Sequence, residues 1–275
     1  MLNTTTMPNM HKDTTTRLTL LVSRMSAAVS PSRLRVVAGV LALLLPLVAH
    51  AQIGEHRNTF SIGVNGGYNM TTVRFTPKVV QSQHGGIVGG LAMRYTVEKY
   101  FTMLASVVAE VNYGQMGWTE KIRDISNQPV INSVTGLGEE YSRTINYIQV
   151  PFLAHLAWGR ETKGVNFFVS GGPQFGYYLS ESTKTNFDWA QRNMTDRANT
   201  IVAQDTMKVE NKLDYGITLG AGIEYSHPKA GHFLIEARYY YGLGNIYGDS
   251  KRDYFGSSNF GTITVKMTYL FDLVK

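Results

Sequence analysis

The chain has 275 residues, 43% of them apolar and only 17% charged, with 27 glycines, 16 tyrosines and no cysteine. Without cysteine there is neither a disulfide framework nor thiolate chemistry. Residues 1–51 hold five of the 26 basic residues (Lys12, Arg17, Arg24, Arg33 and Arg35) and one of the 20 acids (Asp13), so the remainder carries 21 and 19, a net of +2 instead of +6; no nucleic-acid partner is expected from so even a balance.

The first element is a leader. Arg33 and Arg35 precede the apolar run VVAGVLALLLPLV (36–48), and Ala49-His50-Ala51 then offers a small-x-small cleavage site before Gln52. This order is that of a secretory signal peptide, and the run falls short of the ~20 residues of a spanning helix. The polar, threonine-rich stretch 1–24 is too long for an ordinary n-region, so translation is expected to start at Met25. The reading is a leader over 1–51, cleaved after Ala51, and a single domain over 52–275.

Eight segments with period-two alternation follow, the pattern of two-faced strands. They are 59–68, 86–96, 101–113, 145–158, 165–179, 213–225, 232–243 and 260–271. The connections alternate in length without exception. Those at 97–100, 159–164 and 226–231 are short; those at 69–85, 114–144, 180–212 and 244–259 are long. In an up-and-down antiparallel array, all short turns then share one end and all long loops the other, the asymmetry of outer-membrane barrels.

The two faces differ in chemistry. In the third segment Met103, Val107, Val111 and Tyr113 oppose Ser106, Glu110 and Asn112; in the last, Ile263, Val265, Met267, Tyr269 and Phe271 oppose Thr262, Thr264, Lys266 and Thr268. Apolar faces of five to seven residues with aromatic ends suit a hydrocarbon band between interfacial girdles. The opposite faces are rich in glycine, serine and threonine, and their few charges have both signs. A soluble barrel of lipocalin type would reverse the faces, and these polar faces are too poor in charge to serve as an exterior. Arg94, Glu110, Glu224, Glu236, Arg238 and Lys266 are therefore expected in the lumen. An eight-stranded barrel has room only for side chains, so charges there must pair in a network.

Ile148-Gln149-Val150-Pro151-Phe152, Gly171-Gly172-Pro173, DYGITLGAGIEY, FLIEARYYYGLGNI and the closing Tyr269-Leu270-Phe271 carry a further signal. The chain resembles, across residues 59–275, the Bacteroidetes outer-membrane barrels often called PorT-like, within the wider porin or OmpA-barrel group. The resemblance implies an all-β, eight-stranded antiparallel up-and-down transmembrane β-barrel in a Gram-negative cell outer membrane, with periplasmic termini. The role expected is a non-enzymatic structural or interaction one. Alternatives are a small porin or channel, an accessory component of a secretion system, as one member of that family is, or a lipid-modifying outer-membrane enzyme. The tail Asp272-Leu273-Val274-Lys275 departs from barrels that end on the aromatic itself.

No catalytic, cofactor-binding or metal motif emerges. His155 and Ser170 share the inward parity on neighbouring segments, but a nucleophile needs a base and an orienting group in reach. His84, His227 and His232 lack paired ligand spacing and read as surface residues. Gly85-Gly86 and Gly89-Gly90 lack the lysine and helix of a phosphate loop and read as close-packing positions, while Pro151 signals a bulge or break. Apart from outer-membrane lipid, partners such as other envelope or secretion proteins would meet loops 114–144 and 180–212. Trp118, Phe187 and Trp189 sit there among mixed charges, and could equally pack down as lids.

Overall fold

The computed structural model describes residues 54–248 and 253–274, so the leader lies outside the described residues. Nine strands form one sheet: β1 (Glu55–Thr76), β2 (Gln81–Ser82), β3 (His84–Tyr100), β4 (Met103–Glu120), β5 (Tyr141–Gly159), β6 (Gly164–Thr185), β7 (Leu213–His227), β8 (Gly231–Gly242) and β9 (Ser257–Val274). Apart from the two-residue β2, they pair antiparallel in the order β4-β3-β1-β9-β8-β7-β6-β5, and a β4–β5 ladder closes the ring at eight strands. The closed ring thus leaves no free sheet edge.

Parity sorts the side chains as their chemistry demands. On β8, Phe233, Ile235, Tyr239 and Tyr241 point outward, while Leu234, Glu236, Arg238 and Tyr240 are buried inside. Outward residues such as Leu219 and Met267 stand 64% and 65% exposed, whereas Glu110 and Glu236 are 2% and 3% exposed. A water-soluble exterior does not carry a continuous apolar belt of this kind.

Several strands are much longer than their sequence pattern. β1 has 22 residues, about 70 Å at ~3.3 Å per residue, against the ~9–11 residues a tilted membrane strand requires. The excess lies toward the long loops, and there the polarity inverts. On β1, Val73 and Phe75 turn inward and are buried, while Thr72 and Arg74 face out. On β4, Met116 and Trp118 are fully buried with Gln115 and Thr119 outside, and on β5, Tyr141, Ile145 and Tyr147 are inside with Ser142 and Thr144 outside. The loops expected over 69–85, 114–144 and 180–212 therefore shrink to residues 77–83, 121–140 and 186–212, only β2 and two single helical turns interrupting them. The turn expected at 97–100 sits at Phe101–Thr102, because β3 continues through a register shift between Thr96 and Glu98.

Pro151 does not create a bulge. The β4–β5 ladder skips from the Ala109–Phe152 pair to the Asn112–Gln149 pair without a change of register, the local break expected where proline has no N–H to give. Gly90 serves close approach: a Cβ there would lie 2.0 Å from the Val111 carbonyl oxygen.

Candidate functional site: the filled lumen and its two ends

The lumen is crossed by two ionic struts. At mid-height Glu110 of β4 receives both terminal nitrogens of Arg238 at 2.8 and 3.0 Å and Lys266 Nζ at 2.6 Å. β4 and β8 stand four places apart in the ring, so this bidentate pair spans the full diameter. Glu236 lies 2.8 Å from Arg238 Nε and accepts the Ser170 hydroxyl, which completes a cluster of two carboxylates and two cations with no net charge. Gly220 makes room for it, since a Cβ at that position would lie 2.6 Å from Glu236 Oε1 and 2.8 Å from Ser170 Oγ. Asn112 Nδ2 donates to Glu110, and Asn112 Oδ1 accepts from Asn65 Nδ2. A buried charge pair holds only when its remaining hydrogen-bonding capacity is also met.

The second strut lies nearer the short turns. Arg94 of β3 contacts both oxygens of Glu224 of β7 through Nη1, at 2.8 and 2.9 Å, again across the diameter. Around Glu224 gather His232 Nδ1 at 2.8 Å and His155 Nε2 at 3.5 Å. The six charges expected in the lumen are thus all on the inner wall, divided between two clusters that share no bond.

The sequence pattern missed the partners at this end. His232 is half-buried on β8, with Asp272 Oδ1 3.1 Å from its Nε2, and Ser61 Oγ donates to the same oxygen at 2.7 Å. Asp272 lies in the tail that departs from aromatic-ended barrels, yet β9 runs on to Val274. The signal was parity, since Asp272 continues the inward series Thr262, Thr264, Lys266 and Thr268. His84 likewise bonds Thr119 and Thr144 at 3.1 and 2.8 Å, and both histidines depart from the surface reading.

The His155–Ser170 pairing does not form a nucleophile and its base. His155 and Ser170 are register partners, but Ser170 gives its hydrogen to Glu236, and the His155 ring packs on Phe168 with centroids 4.4 Å apart. Ser226, His232 and Asp272 form a hydroxyl–imidazole–carboxylate chain, with Ser226 Oγ 2.9 Å from His232 Nδ1. Ser226 is 1% exposed and also bonds Glu224, so no substrate carbonyl can reach its oxygen.

The long-loop end is sealed by a cap. Phe75, Trp118, Tyr141, Tyr247 and Phe255 are buried in one apolar cluster with Phe187, and Trp189 packs against it. Trp118 meets Phe75 edge-on at 5.2 Å. The loop aromatics are lids. Arg143 ties the cap together by donating to the Gln204 carbonyl at 3.2 Å and the Tyr247 hydroxyl at 3.0 Å, and Arg197 pairs with buried Glu139 at 2.8 Å. Burial raises the Glu139 carboxyl, but donors from Asn132, Asn193 and Arg197 outweigh it and hold the group below its ordinary range.

Glu120 and Asp205 meet inside this cap. Burial first, and then the Asp205 charge, push the Glu120 carboxyl up to about 8, and burial also raises Asp205. The ordinary value for Glu120 is 4.5. Between 4.5 and 8 the docked pair retains a proton that the undocked chain releases, so docking is strongest below that window and weakens as pH rises through it. Hydrogen exchange at the Asp205 and Met207 amides, which bond Val202 and Ala203, is expected to show protection falling from pH 5.5 to 8.5. In Glu120→Gln that decline should shrink.

A family model described as an outer membrane protein beta-barrel domain matches residues 50–248. Solved structures with similarity to the chain include Ail, the attachment invasion locus protein of Yersinia pestis, at 13% identity and a TM-score of 0.29, covering 78% of this chain and all of that one. Neisserial surface protein A is similar at 9% identity and a TM-score of 0.35, covering 77% and 97%. The outer membrane protein OprG from Pseudomonas aeruginosa is similar at 11% identity and a TM-score of 0.36, covering 79% and 98%. No curated protein matches the chain. With the family match spanning well over half its length, the chain belongs to the outer membrane protein beta-barrel domain family.

Proposed function

We propose that the protein is a non-enzymatic, non-conducting barrel of the Gram-negative outer membrane, exported through a cleaved signal peptide, that presents its cap outside the cell and keeps its termini and short turns in the periplasm. The observation that carries this reading is the doubly obstructed lumen: a neutral ionic cluster at mid-height and an apolar cap above it. The central space among Asn112, Gln149, Gln174, Arg238, Tyr240 and Lys266 is about 20 Å³, on the scale of a single water. The cap gives the role its surface. Its core is rigidly packed, yet Ile125, Val134 and Leu137 stand 93%, 64% and 61% exposed at the tip of the 121–140 connection, the type of side chain that a protein partner in the envelope would cover. A secretion accessory of PorT-like kind would use the same surface. A channel is disfavoured by the struts.

Purified protein in planar bilayers is expected to give no steady conductance above leak. Stable single-channel steps from the unmodified protein would replace this reading with that of a pore.

A further inference from the structure

The lumen is not filled at its short-turn end. Between the Arg94–Glu224 strut and the turns lies a cavity of about 290 Å³, lined by Thr59, Thr96, Ser106 and Thr162 hydroxyls, the apolar Leu104 and Ala157, and a rim that includes Arg57 and Glu161. Its volume exceeds that of the central space more than tenfold, which leaves room for a small solute.

The polar groups around it do not balance. The carboxylates are occupied: Glu224 takes Arg94, His232 and Ser226; Asp272 takes Ser61 and His232; Glu161 takes Arg57 and Lys99 at 2.6 and 2.9 Å. Two nitrogens have no hydrogen-bond partner. They are Arg94 Nε and His155 Nε2, on cavity-lining side chains 4% and 3% exposed. Arg94 Nε is a donor in every state, because guanidinium does not deprotonate in proteins. His155 Nε2 stands 3.5 Å from Glu224 Oε2, without a hydrogen bond to it. Burying a donor without an acceptor is unfavourable, and Arg94 Nε leaves the surplus on the donor side. An oxyanion supplies the acceptors that this arrangement lacks among its own side chains.

We propose that this cavity is a binding site for a small solute bearing an oxyanion group, a carboxylate or a phosphate. The group lies against Arg94 Nε and His155 Nε2, and the remainder of the solute packs on Leu104 and Ala157 among the threonine and serine hydroxyls. Access is from the short-turn end alone, since the strut and the cap close the other direction. The site belongs to the barrel wall and is independent of the display role above, so conductance and ligand binding are separate results.

The test is titration of the full-length protein, folded in detergent micelles, with sodium acetate or sodium phosphate against sodium chloride at equal ionic strength. It is read by ¹⁵N resonances of arginine Nε and histidine side chains. Saturable shifts with one or both oxyanions and none with chloride are expected, and the arm that saturates names the group. Ala157→Phe, which fills the cavity without touching a charge, is expected to weaken binding at least tenfold while the folded barrel's gel mobility persists. Should that variant not fold, Ser106→Leu narrows the same space. The absence of saturable shifts with both oxyanions overturns the proposal, as does undiminished binding in a folded, cavity-filled variant.

Discussion

Glu110→Gln is expected to destabilise the barrel by about 3–5 kcal/mol, the range for removing one partner of a buried ion pair. Among the described residues the carboxylate is the sole acceptor for Lys266 Nζ and for both terminal nitrogens of Arg238, and Arg238 cannot discharge itself by losing a proton. The neutral amide leaves two cations opposed to Glu236 alone. The loss should appear as a lower urea midpoint for the folded band that migrates anomalously before heating. Removing one cation as well, in Glu110→Gln with Arg238→Met, restores neutrality as a Glu236–Lys266 pair on register-matched positions of β8 and β9, and should recover most of the loss. The exposed pair Arg57–Glu55 offers the contrast, since solvent screens such a pair and leaves it a small effect on stability. A Glu110→Gln change no larger than a surface pair's would mean that the strut crosses the lumen without bracing it.

The strut was legible in part. Alternation placed Glu110, Glu236, Arg238 and Lys266 on one face, because any residue pointing outward would meet the apolar belt. Which charges meet was not legible, because the partners come from strands diametrically apart and ring order is a tertiary fact. Where polarity inverts, the pattern misled. A strand that leaves hydrocarbon and enters water keeps its period of two but exchanges its faces, so Val73, Phe75, Met116 and Trp118 break the running pattern and the alternation ends short of the strand there. A reading that allows one inversion per strand would have extended β1 and β4 to the cap and turned the long loop aromatics inward. Asp272 and His232 were lost for a smaller reason. Strand ends near turns carry too few residues for parity to be counted with force, and the bond between them joins β8 to β9 at the rim.

The inversion also divides the molecule energetically, and Trp118→Ala tests that division. Trp118 is fully buried, packs edge-on against Phe75 at 5.2 Å and donates Nε1–H to Glu120 at 3.3 Å. Truncating a buried tryptophan costs about 3–5 kcal/mol. That loss falls on the cap, whose other walls are Phe75, Tyr141, Tyr247 and Phe255, whereas the ring below is held by a ladder on each side of every strand and by two struts that Trp118 does not touch. Limited proteolysis should therefore cut the variant within 121–140 and 186–212 at low protease concentration, while a core of eight paired strands survives and still shows heat-modifiable mobility. Ile125→Ala, at a side chain 93% exposed, should leave the digestion unchanged, as surface truncations stay within about 0.5 kcal/mol. Simultaneous loss of cap and ring in Trp118→Ala would show instead that the aromatic cluster holds the upper strands in register, and that the barrel has no separable lower half.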